Sequence, residues 1–218
     1  RVWGSLGLIV AAHTSLGCGP LHLAGTPEQQ QRYLVPMASG QVIGAYGLTE
    51  PGAGSDSGGT RTTARQEDGA DGGSWVIDGA KRFITNAGQA GTYVVTARTG
   101  TRDDGAAEIS AFIVPADTPG FSVGRLEEKL GLHASATGEL HFSGARIPAG
   151  NLLVLGPGSG DPLGSAVVVE TAAVRNIFGD RLASVYAPEV LARFGTGAAR
   201  VDVRIVAPDG TAAYRRAL

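Results

Sequence analysis

Hydroxyls, carboxylates and glycines crowd into Ala45-Tyr46-Gly47-Leu48-Thr49-Glu50-Pro51-Gly52-Ala53-Gly54-Ser55-Asp56. A strand-like run over residues 42–48 enters this stretch and breaks at Pro51, which lacks a backbone donor and has a fixed φ. Gly52 and Gly54 permit conformations that a Cβ disfavours. A rigid turn of this kind presents backbone N–H groups, the Thr49 and Ser55 hydroxyls, and the Glu50 and Asp56 carboxylates. Such a surface can bind a phosphate or the polar edge of a cofactor ring. A polar hairpin loop is the alternative reading of the same residues. Gly52-x-Gly54 is not a dinucleotide or P-loop signature, since no GxGxxG or GxxxxGK[ST] follows a strand.

Other reactive side chains offer less. His13, His22, His133 and His141 show no metal-ligand spacing, and structural or surface roles are expected for them. Cys18 is the sole cysteine, which excludes an intrachain disulfide and a thiolate metal cluster; it reads as a small buried hydrophobe. No metal is expected. A net charge of −2 without a Lys/Arg run gives no case for nucleic acid. No apolar run is expected to reach the roughly 18 residues of a membrane span, and no signal peptide is recognised, so a cytoplasmic protein is expected.

The elements that must position the turn follow from pattern. Residues 2–16 have the spacing of a buried helix that Gly17, Gly19 and Pro20 should end. Residues 21–24 suggest a short helix stopped by Gly25. Thr26 reads as an N-cap, with Pro27 at the first helical position and Gln29 completing a capping box. That surface helix, from Pro27 to about Leu34, should close by Pro36 and Gly40. From Val42 the period is that of strands. Residues 60–66, 75–77, 81–85, 93–98, 109–114, 123–126 and 139–142 are each bounded by turn signals. Among these signals, Asp78-Gly79 reads as a hairpin turn, residues 99–105 as a polar loop, and Asp117-Thr118-Pro119-Gly120 as a turn. The fold class is α+β: an N-terminal helical segment, then a small antiparallel β-barrel or sandwich, then an unassigned mixed tail. The corresponding domains are 1–40, 41–155 and 156–218.

In order along the chain, several of these segments resemble the acyl-CoA dehydrogenases. They are Ala24-Gly25-Thr26-Pro27-Glu28-Gln29-Gln30, Tyr33-Leu34-Val35-Pro36, the series from Leu48 to Asp56, and Gly79-Ala80-Lys81-Arg82-Phe83-Ile84-Thr85-Asn86-Ala87. Phe112-Ile113-Val114, Glu128-Lys129-Leu130-Gly131, Ser135 and Arg146-Ile147-Pro148 continue the likeness, which covers about residues 4–153. The resemblance implies an FAD enzyme that oxidises the α,β bond of an acyl-CoA thioester, with an electron-transfer acceptor and a homo-oligomeric assembly. Carried over by motif, Tyr46, Gly47, Leu48, Thr49, Gly54 and Ser55 line the flavin and its diphosphate, and Ser55 also faces the CoA part. Phe83, Ile84 and Thr85 form the second flavin contact, where the family usually has Trp-Ile-Thr. Thr99 falls where the family often has a serine on the acyl-CoA.

After Leu153 the sequence departs from that pattern. The family's α-proton base is a glutamate in a C-terminal helical domain, and nothing after Asn151 resembles one. The expectation is a truncated or fused member lacking the base. Glu50 and Asp56 read as loop braces, and neither Glu170 nor Glu189 is marked as a substitute. Residues 165–194 could hold two helices, and residues 201–206 with the Pro208-Asp209-Gly210 turn read as a hairpin arm. A non-catalytic flavin- or CoA-binding module is the alternative function.

Overall fold

The apolar residues after Trp3 wind, in a computed structural model, into the helix Gly4–Ala24. The structure describes residues 3–69, 72–103, 105–154, 205–206 and 212–214. The helix is α-helical over Gly4–Ala11, a π-helix over Ala12–Cys18 and α-helical again over Gly19–Ala24. It does not stop at Gly17, Gly19 or Pro20. Pro20 falls in the first turn after the π-helix, a position where a missing N–H is tolerated. Gly17 serves packing instead: a Cβ there would lie 2.8 Å from the Gly44 Cα, so the helix and the first strand touch backbone to backbone. The expected burial also fails at the leading end, where Trp3, Leu6 and Val10 are exposed.

Thr26 caps the next helix as its sequence predicts. Its side chain accepts from the Gln29 N–H, and the Gln29 side chain accepts from the Thr26 N–H. This helix covers Pro27–Gln29, a π-helical Gln30–Leu34 and Val35–Ala38, so Pro36 again follows a π segment and does not close the helix. Gln29, Tyr33 and Met37, spaced by four, are buried. The helix therefore has an inward face rather than lying wholly on the surface.

The strands are β1 (Gly44–Gly47), β2 (Thr63–Glu67), β3 (Ser74–Thr85), β4 (Thr92–Thr101), β5 (Ala107–Pro115), β6 (Phe121–Leu126), β7 (Thr137–Pro148) and β8 (Leu152–Val154). They form one sheet in the order β6-β7-β3-β2-β4-β5-β8, with β1 added beside β4. Most pairings are antiparallel as expected, but β1 and β2 each meet β4 in parallel. The β2–β4 junction is a single residue pair, Thr63 with Arg98, and the sheet folds over there. Trp75 of β3 then packs 5.1 Å from Phe112 of β5, and Tyr93 of β4 lies 4.9 Å from Phe121 of β6, between ring centroids. The α+β class stands.

Burial explains the strand sequences. Tyr93, Val95, Phe112 and Val114 fill the core between the two sheet halves, while Val94, Ala111 and Ile113 pack with Leu21, Tyr33 and Met37 of the helices. The central parts of β4 and β5 are covered on both faces and read as unbroken apolar runs. β7 buries one face and alternates.

Two boundaries differ from expectation. Asp78-Gly79 is no hairpin turn, because β3 runs through it and both sides pair with β7. Gly79 sits at a register shift with φ 143°, and a Cβ there would come within 2.6 Å of the Thr62 hydroxyl. The second change is at Thr99, which belongs to β4 and not to a loop. The chain divides into two units, Arg1–Ile177 and Phe178–Leu218. Within the second, β9 (Ile205–Val206) pairs antiparallel with β10 (Ala212–Tyr214), as a hairpin arm requires. The expected helices over residues 165–194, with Glu170 and Glu189, and the turn at 208–210 lie outside the described residues.

Candidate functional site

At Gly47 the chain leaves β1 and turns tightly around Pro51-Gly52. Glu50 N–H donates to the Ala53 carbonyl at 2.8 Å, and Ala53 N–H returns the bond at 3.2 Å. The turn points its first carboxylate inward. Glu50 is buried and accepts from the Arg61 N–H at 2.7 Å, the Thr62 N–H at 3.1 Å and Lys81 Nζ at 2.7 Å. It is a brace, as its sequence context suggests.

Lys81 is the partner that sequence reasoning passed over. Its side chain is wholly buried, and Nζ donates to the Leu48 carbonyl at 3.1 Å, Glu50 Oε1 at 2.7 Å and Thr96 Oγ1 at 3.2 Å. Each ammonium proton has an acceptor. Burial opposes the Glu50 charge, yet hydrogen bonds from Lys81, Arg61 and Thr62, with the Lys81 charge, hold the carboxyl below its ordinary value. Burial pulls the Lys81 ammonium down, and Glu50 pushes back.

Immediately after Lys81, β3 slips register against β7 before Ile84. In this bulge Phe83 takes φ 60°, and Arg82 N–H donates to the Thr49 carbonyl at 2.7 Å. Lys81 thus holds Leu48 and Arg82 holds Thr49, so the two separately predicted segments, 46–49 and 83–85, meet at one junction. Phe83 is 55% exposed, with the Arg82 guanidinium 4.8 Å from its ring centroid. The Ile84 side chain is in the core, so only its backbone can face a ligand. Asn86, at φ 67°, donates to the Ile9 carbonyl at 3.3 Å and the Gly44 carbonyl at 3.2 Å, fixing the strand's end to the first helix and to β1.

Other predicted residues separate into two groups. Tyr46 is half-buried against the helix-side core, and Gly47 is buried. Gly54 and Ser55 are exposed, and a Cβ on Gly54 would meet nothing within 4 Å. Thr99 stands apart from the junction, its hydroxyl 2.8 Å from Ser110 Oγ within the β4–β5 pair. The hydroxyls of Thr49, Ser55 and Thr85 make no hydrogen bond among the described residues. Free hydroxyls, an open glycine turn and an exposed aromatic ring are each of a kind that a polar-edged planar group with a phosphate can use.

Residues 45–145 match the family model described as acyl-CoA dehydrogenase, middle domain, and residues 1–41 match acyl-CoA dehydrogenase, N-terminal domain. The chain belongs to the acyl-CoA dehydrogenase family. It is 49% identical over 162 residues to a probable acyl-CoA dehydrogenase, YngJ, of Bacillus subtilis, covering 74% of this chain and 40% of that protein. Butyryl-CoA dehydrogenase from Megasphaera elsdenii superposes with a TM-score of 0.69 at 36% identity, over 79% of this chain and 42% of that one. An acyl-CoA dehydrogenase complexed with FAD from Bacillus anthracis superposes at 0.62 with 39% identity, over 70% and 25% of the two chains. This sequence therefore spans about two-fifths of the length of the curated relative it matches.

The family match also bears on the first helix. Gly4–Ala24 is 21 residues long with mean hydropathy 1.3, apolar enough by length and composition to cross a membrane, contrary to the expectation that no stretch reaches that length. The same residues fall inside the acyl-CoA dehydrogenase N-terminal domain match. His13 has a structural role there. Its Nδ1 accepts from the Gly44 N–H at 2.9 Å, so Nε2 carries the proton and donates to the Met37 carbonyl at 3.2 Å. Cys18 is half-buried, and burial pushes its thiol up, away from the nucleophilic thiolate.

Proposed function

We propose that residues 45–145 form the flavin- and thioester-facing wall of an FAD-dependent acyl-CoA dehydrogenase. The observation that carries this is the junction of the Leu48-Thr49 loop with the Arg82-Phe83 bulge, closed by Lys81 Nζ to Leu48 O and Arg82 N–H to Thr49 O. Loop and bulge would have no reason to be so fixed if they were ordinary connections, since connecting loops vary and move.

In this reading Leu48, Thr49 and Phe83 to Thr85 meet the flavin ring, with Tyr46 and Gly47 behind them. Gly54 and Ser55 meet the diphosphate, Ser55 also touches the CoA portion, and Thr99 lies on the acyl-CoA path. FAD, once bound, supplies the hydride acceptor for α,β-dehydrogenation. The chain's own residues bind and orient: free Thr49 and Thr85 hydroxyls can donate to ring acceptors, and Gly54 lets backbone approach an anion. No described residue is assigned the α-proton. Glu50 is committed to Lys81, Arg61 and Thr62, and Asp56 is exposed on the turn. The proposal extends to a homo-oligomer with an electron-transfer acceptor and a cytoplasmic setting.

The test titrates the full chain with FAD by flavin fluorescence, then mixes the loaded protein anaerobically with butyryl-CoA and longer acyl-CoAs. Saturable FAD binding that weakens in Thr49→Val and Ser55→Ala supports the site. Binding without flavin bleaching favours a module over an enzyme, and no FAD binding refutes the reading.

A further inference from the structure

An aromatic residue at φ 60° is a conformation that its Cβ opposes, so something outside the local chain must keep Phe83 there. Its neighbour has an arrangement suited to that task. Arg82 Nε lies 3.6 Å from Glu127 Oε1 and 3.6 Å from Glu139 Oε1. Both Nε and Glu127 Oε1 are buried without a hydrogen bond, so the guanidinium is held by charge from two sides. The two glutamates are anchored through their backbones. Glu127 N–H donates to the Thr137 carbonyl at 2.7 Å, and Glu139 lies on β7 beside the bulge. Held in this way, the guanidinium lies over the Phe83 ring, and the backbone of the same residue holds Thr49.

We infer that Arg82 is a positioning residue: bracketed by Glu127 and Glu139, it fixes the left-handed Phe83 and presents that ring on the wall where the flavin lies. This rests on the flavin reading above. The division of labour follows from the chemistry of each partner. The carboxylates hold the guanidinium from two sides, and the cation attracts the ring face. Without the cation, the half-exposed ring has little apolar burial to hold it, and Phe83 can leave the left-handed region while Lys81 and Ile84 stay inward.

The experiment uses the full isotope-labelled chain in wild-type, Arg82→Met and Arg82→Lys forms, with Glu127→Gln/Glu139→Gln as a second route to the same loss. Amide relaxation in the flavin-free protein should show the Phe83 order parameter falling from about 0.85 to below about 0.6 in Arg82→Met. The melting midpoint should change little, and Arg82→Lys should recover part of the order. FAD affinity should fall about two- to fivefold in Arg82→Met, the effect of losing one partly exposed cation–π contact. An unchanged Phe83 order parameter in both routes overturns the bracket. Phe83 disorder with unaltered FAD affinity overturns the presentation role. Failure of the wild-type chain to bind FAD would instead remove the flavin reading, while the relaxation data still decide whether Arg82 holds Phe83.

Discussion

Lys81→Met removes one ammonium from a wholly buried site. Three acceptors lose their donor at once: the Leu48 carbonyl, Glu50 Oε1 and the Thr96 hydroxyl. Thr96 keeps its own bond to the Gly47 carbonyl, and Glu50 keeps the Arg61 and Thr62 amides, so the Leu48 carbonyl and the Glu50 charge bear the loss. Breaking a buried ion pair from one side costs about 3–5 kcal/mol. The double variant Lys81→Met/Glu50→Gln leaves no buried charge, and the Gln oxygen retains an acceptor for one of the two amides, which bond different oxygens of Glu50. Its debts are the unpaired Leu48 carbonyl and one amide, about 1–3 kcal/mol each. The double variant should therefore cost less than the two single variants summed, with a coupling of about 2 kcal/mol.

Urea unfolding of the full chain followed by circular dichroism measures all four corners of that cycle. Hydrogen exchange at the Arg82 amide adds a local readout, because its acceptor, the Thr49 carbonyl, belongs to the loop that Lys81 holds. Additive effects, or a cost below about 1 kcal/mol for Lys81→Met, would refute the claim that the loop is anchored by charge. Acid gives the same test by another route. The folded Glu50 carboxyl lies below its ordinary 4.5. Its stabilisation is full above that value and disappears as pH falls through the lower folded value. Glu50→Gln should show a shallower loss of stability in that acid window than wild type. An unaltered acid profile would count against the brace.

Gly17→Val should lower the melting midpoint sharply, since its Cβ would press on the Gly44 backbone at 2.8 Å and neither segment can yield without undocking the helix; an unchanged midpoint would contradict that close approach. Gly54→Val and Gly79→Ala should separate the site from the fold. The first leaves the midpoint nearly unchanged and weakens FAD binding, whereas the second meets Thr62 and a φ of 143° and loses stability; the reverse ranking by calorimetry and flavin titration would be decisive against it. Asn86→Ala loses two bonds, to Ile9 and Gly44, and leaves a Cβ residue at φ 67°; a cost of about 2 kcal/mol is expected in urea.

What could be read from the sequence was what depends on short-range rules. The Thr26-Pro27-Gln29 cap closes within four residues, and its hydrogen bonds are those the residue types call for. The apolar run from Tyr93 to Ala97 is buried on both faces and declared itself a strand. Longer-range facts were not legible. Asp78-Gly79 could turn the chain or bulge it, and the choice belongs to β7, whose residues from Thr137 to Pro148 are enough to pair along both sides of the dipeptide. Pro20 and Pro36 look like helix ends until the π segments before them place each ring in a new first turn. Thr99 looks like loop because its neighbours are polar, yet pairing with β5 carries the strand past it.

At the candidate site the mismatch between pattern and structure has a single cause. Counting by twos from Lys81 would put Phe83 and Thr85 on the same face, and apolar preference would bury the phenyl ring and expose the amine. The bulge breaks that parity: Lys81 and Ile84 are buried and Phe83 is exposed. The inversion is affordable because the Leu48 carbonyl and the Glu50 carboxylate wait inside for a cation, and no apolar side chain could satisfy them. A loop anchored by apolar packing would need to bury its own side chains. One anchored through its backbone and one inward carboxylate keeps the Thr49 hydroxyl and the Phe83 ring free. The buried charge is thus what leaves the outer surface of the junction available for a ligand, and it is why the least conspicuous residue of the motif, Lys81, determines the geometry of the rest.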